Sequence, residues 1–274
     1  MAVAQFDKDL VLAVLGEIGR LCNRKMTIYL LGGGAMALRG EKDATKDVDL
    51  VLESQEDAKE LVRSLRQIGF EITFRPPLEC QALKDATILV ESEGMRIDVF
   101  VGTICNKLVF SHGMRTRSTS YGELGDISLK LVSREDIFLL KSVTERSRDL
   151  EDMLTLYRKG LRKEVILSEC DYQGALEDLE DGRIWDSFLL MKLVEMEDRF
   201  VIQVPWKREL IRRAELRTAA SLALKRLRQG PLDEEDLRLF LKLDKGFFAR
   251  VLAFLREKGL VTYEPDTKVV MKTG

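Results

Sequence analysis

Residues 29–54 read YLLGGGAMALRGEKDATKDVDLVLES. An apolar run ends on Gly32, Gly33 and Gly34, and a second apolar run starts with Asp47 and Asp49. In a strand, residues i and i+2 share a face, so Asp47 and Asp49 project together and Val48 turns into the core. Two adjacent carboxylates repel unless a cation lies between them, and Mg²⁺ takes carboxylates together with substrate phosphates. Glycines ahead of a helix N-terminus leave backbone N–H groups open to an anion. The reading is that Gly32, Gly33 and Gly34 hold a triphosphate while Asp47 and Asp49 hold its metal, Mg²⁺ or Mn²⁺. Asp98, in RIDVFVG (96–102), is an acid among apolar strand residues, and such charges are seldom buried unpaired. On a strand beside the first pair it completes a two-metal site, in which one ion activates an attacking hydroxyl and the other holds the triphosphate. Each piece also has a plainer reading: a D-x-D pair or a Gly-rich turn is weak alone, and Asp98 reads as well as an edge residue facing water. The three in this order carry the inference.

Outward from this stretch, residues 7–24 have helical period, with Leu10, Val11, Val14, Leu15, Ile18 and Leu21 on one face. MTIYLL (26–31) and VDLVLES (48–54) are strands, and a short helix starts in AMAL (35–38). Ser54 with Glu56 and Asp57 opens a helix running to Gly69. ATILVES and MRIDVFVG are strands joined at Glu93–Gly94, and RTRSTSYG and ISLKLVS add two more. From Ser133, which with Asp136 forms a capping-box variant, the pattern is helical to about Phe200. Pro205 marks a boundary. Beyond it come helices at 208–228, 232–242 and 244–258, then two short strands around Pro265–Asp266, the order of a winged helix-turn-helix. The expected fold class is α+β, with a core at 1–132, a helical region at 133–204 completing the cleft, and a winged helix-turn-helix at 205–274.

In that last segment Lys245, Arg250, Arg256 and Lys258 lie on the outer side of the final helix, with Phe247, Val251, Phe254 and Leu255 on its core side. Residues 205–274 carry 16 Lys+Arg against 10 Asp+Glu, whereas residues 1–204 carry 28 against 36. A +6 segment on a −8 body favours a polyanionic partner, RNA or DNA; protein contact is the competing reading. The whole chain, at −2 over 274 residues, has no nucleic-acid signature of its own. Its 45% hydrophobic and 33% charged residues exclude a disordered chain. Cys22, Cys80, Cys105 and Cys170 form no CxxC pair, and with one histidine, His112, they make no sequence-local zinc site. They read as reduced thiols of a cytoplasmic protein. No run reaches a membrane span, and the acidic N-terminus does not read as a signal peptide.

The combination LGGGAMALRG…ATKDVDLVLE with Asp98 resembles the signature of the DNA polymerase beta-like nucleotidyltransferase superfamily. It is most similar to a branch of uncharacterised bacterial and archaeal nucleotidyltransferases that resemble the toxin components of abortive-infection toxin–antitoxin pairs. The resemblance covers residues 28–155 and implies a nucleotidyltransferase-fold mixed sheet. It places Gly32 and Gly33 at the Gly-Gly turn, Asp47 and Asp49 at the D-x-D, and Asp98 as the third acid. SREDIFLLKSVTERSRDLEDM (133–153) continues it, with Lys141 as the triphosphate-contacting lysine and Asp149 and Asp152 as downstream acids. Gly33 stands where many members have Ser, so contact with phosphate there would be by backbone alone. The implied activity is Mg²⁺-dependent transfer of a nucleoside monophosphate from an NTP to RNA or a protein hydroxyl, with an antitoxin or other protein as a possible partner. The alternative is a non-catalytic regulator that binds nucleic acid or acts like an antitoxin. Lys141 also reads as a lysine snorkelling from an amphipathic helix, Arg148, Asp149 and Asp152 as a solvated face, and Arg39 as either a phosphate ligand or a turn cap. His112, in a loop, reads as incidental.

Overall fold

The structure, a computed structural model, describes residues 6–72, 88–92, 95–105, 107–144, 146 and 148–273. Cys80 and the Glu93–Gly94 turn lie outside them. The chain forms two compact units, Met1–Arg162 and Lys163–Gly274, and the fold is α+β.

The first unit runs α1 (Lys8–Leu21), β1 (Met26–Leu31), α2 (Gly32–Leu38), β2 (Asp47–Leu52), α3 (Gln55–Gln67), β3 (Glu71–Ile72), β4 (Ile88–Ser92), β5 (Met95–Val101), β6 (Thr103–Ile104), β7 (Leu108–Val109), α4 (His112–Arg117), β8 (Thr119–Leu124), β9 (Ile127–Leu131), α5 (Arg134–Ser142) and α6 (Asp149–Arg158). Among the described residues, seven strands make one mixed sheet in the order β3-β4-β5-β2-β1-β9-β8, and β6 pairs with β7 in a small hairpin beside it. The central strands are apolar on both faces: Ile28, Leu30, Leu50, Val51 and Val99 are fully buried. That pattern belongs to a sheet covered on both sides.

Two expected caps are present. Ser54 accepts from the Asp57 N–H at 3.1 Å, and Ser133 accepts from the Asp136 N–H at 3.2 Å while donating to the Asp136 carboxylate at 2.6 Å. Asp136 is buried and also pairs with Arg117 on α4 at 2.7 Å, which fastens the start of α5. The segment around His112 is helical rather than a loop, because Ser111 caps α4 by accepting from the Met114 N–H. Leu10, expected on the buried face of α1, is 44% exposed.

The second unit contains α7 (Lys163–Ala175), α8 (Trp185–Phe200), α9 (Lys207–Leu227), β10 (Leu232–Asp233), α10 (Glu234–Leu241), α11 (Lys245–Glu257), β11 (Val261–Glu264) and β12 (Val269–Lys272), with a three-stranded sheet ordered β10-β12-β11. From α9 onward the element order is the winged helix-turn-helix one. The core of this part is Ala220, Leu224, Leu237, Phe248, Val251, Leu255 and Val270. Phe248 takes the place expected for Phe247, which with Phe254 is only partly buried.

The unit boundary falls after Arg162 rather than at 132 and 204: α5 and α6 belong with the sheet, and α7 and α8 with α9. Buried acids explain the second attachment. Asp186 on α8 pairs with Arg213 at 2.6 Å and with Arg217, and Glu180 pairs with Arg228 and Lys272. Asp171 on α7 also takes Arg213 and Arg217. Counted over Lys163–Gly274 the charge is 20 Lys+Arg against 21 Asp+Glu. Much of the positive excess of residues 205–274 is thus neutralised inside the unit.

Candidate active site

β2 and β5 run parallel, with Asp49 opposite Asp98 and Asp47 opposite Arg96. Val48 is buried, so Asp47 and Asp49 share the other face. The structure therefore brings Asp47, Asp49 and Asp98 together on neighbouring strands, in a two-by-two arrangement whose fourth corner is Arg96.

Arg96 holds both oxygens of Asp98, Nε to Oδ1 at 2.7 Å and Nη2 to Oδ2 at 2.9 Å. Asp47 meets Arg148 at 3.2 Å through Oδ2. Asp49 sits in a recess, and no side chain among the described residues donates a hydrogen bond to it or pairs with it. Burial, with Asp98 and Asp47 beside it, pushes its pKa up to about 7. Burial also raises Asp98, against the pull of Arg96. With Asp98 and Asp47 turned to guanidinium groups, no cluster of three or more His, Cys, Asp or Glu side chains is disposed to hold a metal among the described residues.

Gly32 is where the chain needs a missing side chain. Its φ is +60°, and a Cβ there would stand 2.4 Å from Asp49 Oδ2, so the start of α2 passes the carboxylate with no room to spare. Gly33 has no such φ; a Cβ there would meet Thr45 Oγ1 at 2.6 Å. Gly34 is buried, and a Cβ there would press on Leu30; it packs the helix on the strand and does not line the site.

Two cavities meet at Asp49. The polar one, 110 Å³, is lined by Gly32, Gly33, Thr45, Asp47 and a basic set of Lys42, Lys46, Arg146 and Arg148. The apolar one, 140 Å³, is lined by Phe100, Ile104, Leu108, Ile137, Leu140 and Val143, with Asp49, Asp98 and Lys141 at one end. Lys141 and Asp149 border both.

Lys141 is buried, not snorkelling, and its ammonium lies 2.8 Å from Asp149 and 2.6 Å from Asp152. Burial opposes its charge, but the two carboxylates outweigh that and raise its pKa. Lys42 adds a second cation to Asp152 at 2.8 Å, and Thr144 donates to Asp149. Asp149 and Asp152 are therefore parts of a buried network rather than a solvated face.

Arg39 donates to the carbonyl of Val132 and lines neither cavity, which makes it a structural anchor. His112 is exposed and away from both cavities. Lys245, Arg250, Arg256 and Lys258 are all exposed, as expected, with the Arg250 guanidinium 5.1 Å from the Phe247 ring centre. Arg96, Arg146, Lys42 and Thr45 are site residues that the sequence reading missed. Arg96 alone left a signal, since it stands two positions before Asp98 and shares its face.

No protein-family model matches the chain, and no curated protein matches its sequence significantly. Among the described residues no helix is long and apolar enough to cross a membrane.

Proposed function

We propose that the first unit is a divalent-cation-dependent nucleotidyltransferase, moving a nucleoside monophosphate from an NTP to a hydroxyl acceptor. The observation that carries this is the Asp49–Asp98 pair: two carboxylates set opposite each other at the meeting point of a basic and an apolar cavity, with Asp47 alongside.

The residues fit one ion, and the two-ion expectation narrows accordingly. Asp49 is unpaired and Asp47 has one oxygen clear of Arg148, while Arg96 occupies both oxygens of Asp98. Asp47 and Asp49 would hold Mg²⁺, which supplies charge neutralisation at the transferring phosphoryl group. Lys46, Arg146 and Arg148 offer positive charge to phosphates in the polar cavity. Asp98, whose pKa burial raises against the pull of Arg96, is the group to accept the proton of the attacking hydroxyl. Mn²⁺ titration followed by electron paramagnetic resonance should find one tight ion per chain, and Arg96→Gln should admit a second. Two ions in the unaltered protein would overturn the assignment of Arg96. The activity itself is tested by incubating each α-labelled NTP with Mg²⁺ and candidate acceptors and looking for labelled product; no label from any NTP would sink the reading.

For the second unit, the exposed basic side chains of α11 support contact with a nucleic-acid backbone. With Arg213, Arg217 and Arg228 committed to Asp171, Glu180 and Asp186, this contact is proposed for Lys245, Arg250, Arg256 and Lys258 of α11. Binding of the full chain to RNA or DNA should fall steeply with salt, and Arg250→Glu with Arg256→Glu should lower the log–log slope by roughly 1.4 to 1.8, about 0.7 to 0.9 per lost contact. An unchanged slope would point to protein contact at this face.

A further inference from the structure

The apolar cavity has a specific chemistry. Its 140 Å³ is close to the ~150 Å³ in which an apolar cavity in another protein takes up benzene. Its wall is made by Phe100, Ile104, Leu108, Ile137, Leu140 and Val143, and polar groups gather at one end, where Asp49 and Asp98 stand. Cys105, Lys107, Thr144, Arg146 and Asp149 also line it, and none of these residues is without a partner. Lys107 Nζ donates to the Val143 carbonyl at 3.4 Å, and the Thr144 hydroxyl serves the Lys141 carbonyl and Asp149.

A nucleobase buried here would bring ring nitrogens and exocyclic groups against apolar side chains, and an unsatisfied buried polar group costs about 1–3 kcal/mol. A ligand with one ring or branched alkyl group and one hydroxyl meets no such obstacle. Its apolar part fills the wall, and its hydroxyl reaches the carboxylates.

We propose that this cavity is the acceptor site, and that the acceptor is a small hydroxyl compound with a single apolar ring or branched chain; this rests on the nucleotidyl-transfer reading. The acceptor oxygen attacks the α-phosphorus of the NTP and forms the new O–P bond. The bond from that phosphorus to the bridging oxygen breaks, pyrophosphate leaves, and the hydroxyl proton passes to Asp98. The basic cavity on the other side of Asp49 receives the phosphates, so donor and acceptor occupy separate cavities.

The test uses the full chain and 4-methylphenol as probe. Nuclear Overhauser contacts are expected between the probe ring and the methyl groups of Ile137, Leu140 and Val143, with a dissociation constant that ATP–Mg²⁺ leaves within about twofold. Val143→Phe, at a partly exposed wall position, should weaken the probe at least tenfold. Label from an α-labelled NTP should then appear on the phenol oxygen. Contacts elsewhere, or none, would overturn the site. Mutual exclusion of probe and ATP would assign the cavity to the nucleoside and overturn the acceptor reading. Intact probe binding with no NTP binding at all would instead remove the transfer reading, and the acceptor assignment with it.

Discussion

Asp49→Asn is expected to reduce nucleotidyl transfer by about three orders of magnitude, some 4 kcal/mol of barrier, while making the metal-free protein more stable above pH 7. On the proposed reading, the first effect follows from losing a ligand to the ion and a charge at the centre of the site. The second follows from the sheet. The folded-state pKa of Asp49 is raised to about 7, first by burial and then by Asp98 and Asp47, whereas the unfolded carboxyl titrates near 4. Between these values the folded state binds the extra proton, so stability falls as pH rises through the window. Asn has no such titration. Thermal melts in EDTA should thus coincide near pH 4 and separate toward pH 8, where the variant gains on the order of 2 kcal/mol, allowing for the solvent that reaches the recess. Parallel pH profiles would show that Asp49 is not under this repulsion. Full transfer activity in the variant would remove it from the chemistry.

Lys141→Met should cost about 3 kcal/mol or more of stability. A buried pair broken on one side leaves an uncompensated charge, which typically costs 3–5 kcal/mol. Here Asp149 and Asp152 lose their shared cation, and Lys42 still serves Asp152, so the lower end applies. In urea, the transition of the first unit should move and that of the second should stay. Adding Asp149→Asn should recover part of the loss, because the stranded carboxylate is gone. A change below 0.5 kcal/mol would mean that the ammonium is solvated and free to meet phosphates alone.

The strands were legible because their apolar runs are short, β-branched and bounded by glycines, and the shared face of Asp47 and Asp49 follows from strand parity alone. Ser54 and Ser133 announced their helices for the same local reason. What could not be read depended on distant partners. The pairing of Asp49 with Asp98 needs the parallel register of β2 and β5. Lys42 is 110 residues from Asp152, and nothing near either indicates the other. The close approach of Asp49 to Gly32, where an added Cβ would stand 2.4 Å from Oδ2, joins residues 17 positions apart. Sequence counts over residues 205–274 do not reveal that Arg213, Arg217 and Arg228 answer acids on or just before α8 and on α7. The same long-range pairing places the boundary after Arg162 rather than at Pro205.

The β2–β5 register joins Val48 to Ile97, Leu50 to Val99 and Val51 to Phe100 as well as Asp49 to Asp98. Asp49 opposite Asp98 disfavours this alignment, and the apolar pairs, with Arg96 opposite Asp47, select it. Sliding one residue would turn Asp98 to the opposite face. The carboxylates cannot relax by moving the backbone, and any relief must come from a particle entering between them. Architecture and reactivity are in this sense separable: substitutions at Arg148 or Val143 can retune what the pair does, because Val48, Ile97, Leu50 and Val99, which hold the alignment, line neither cavity.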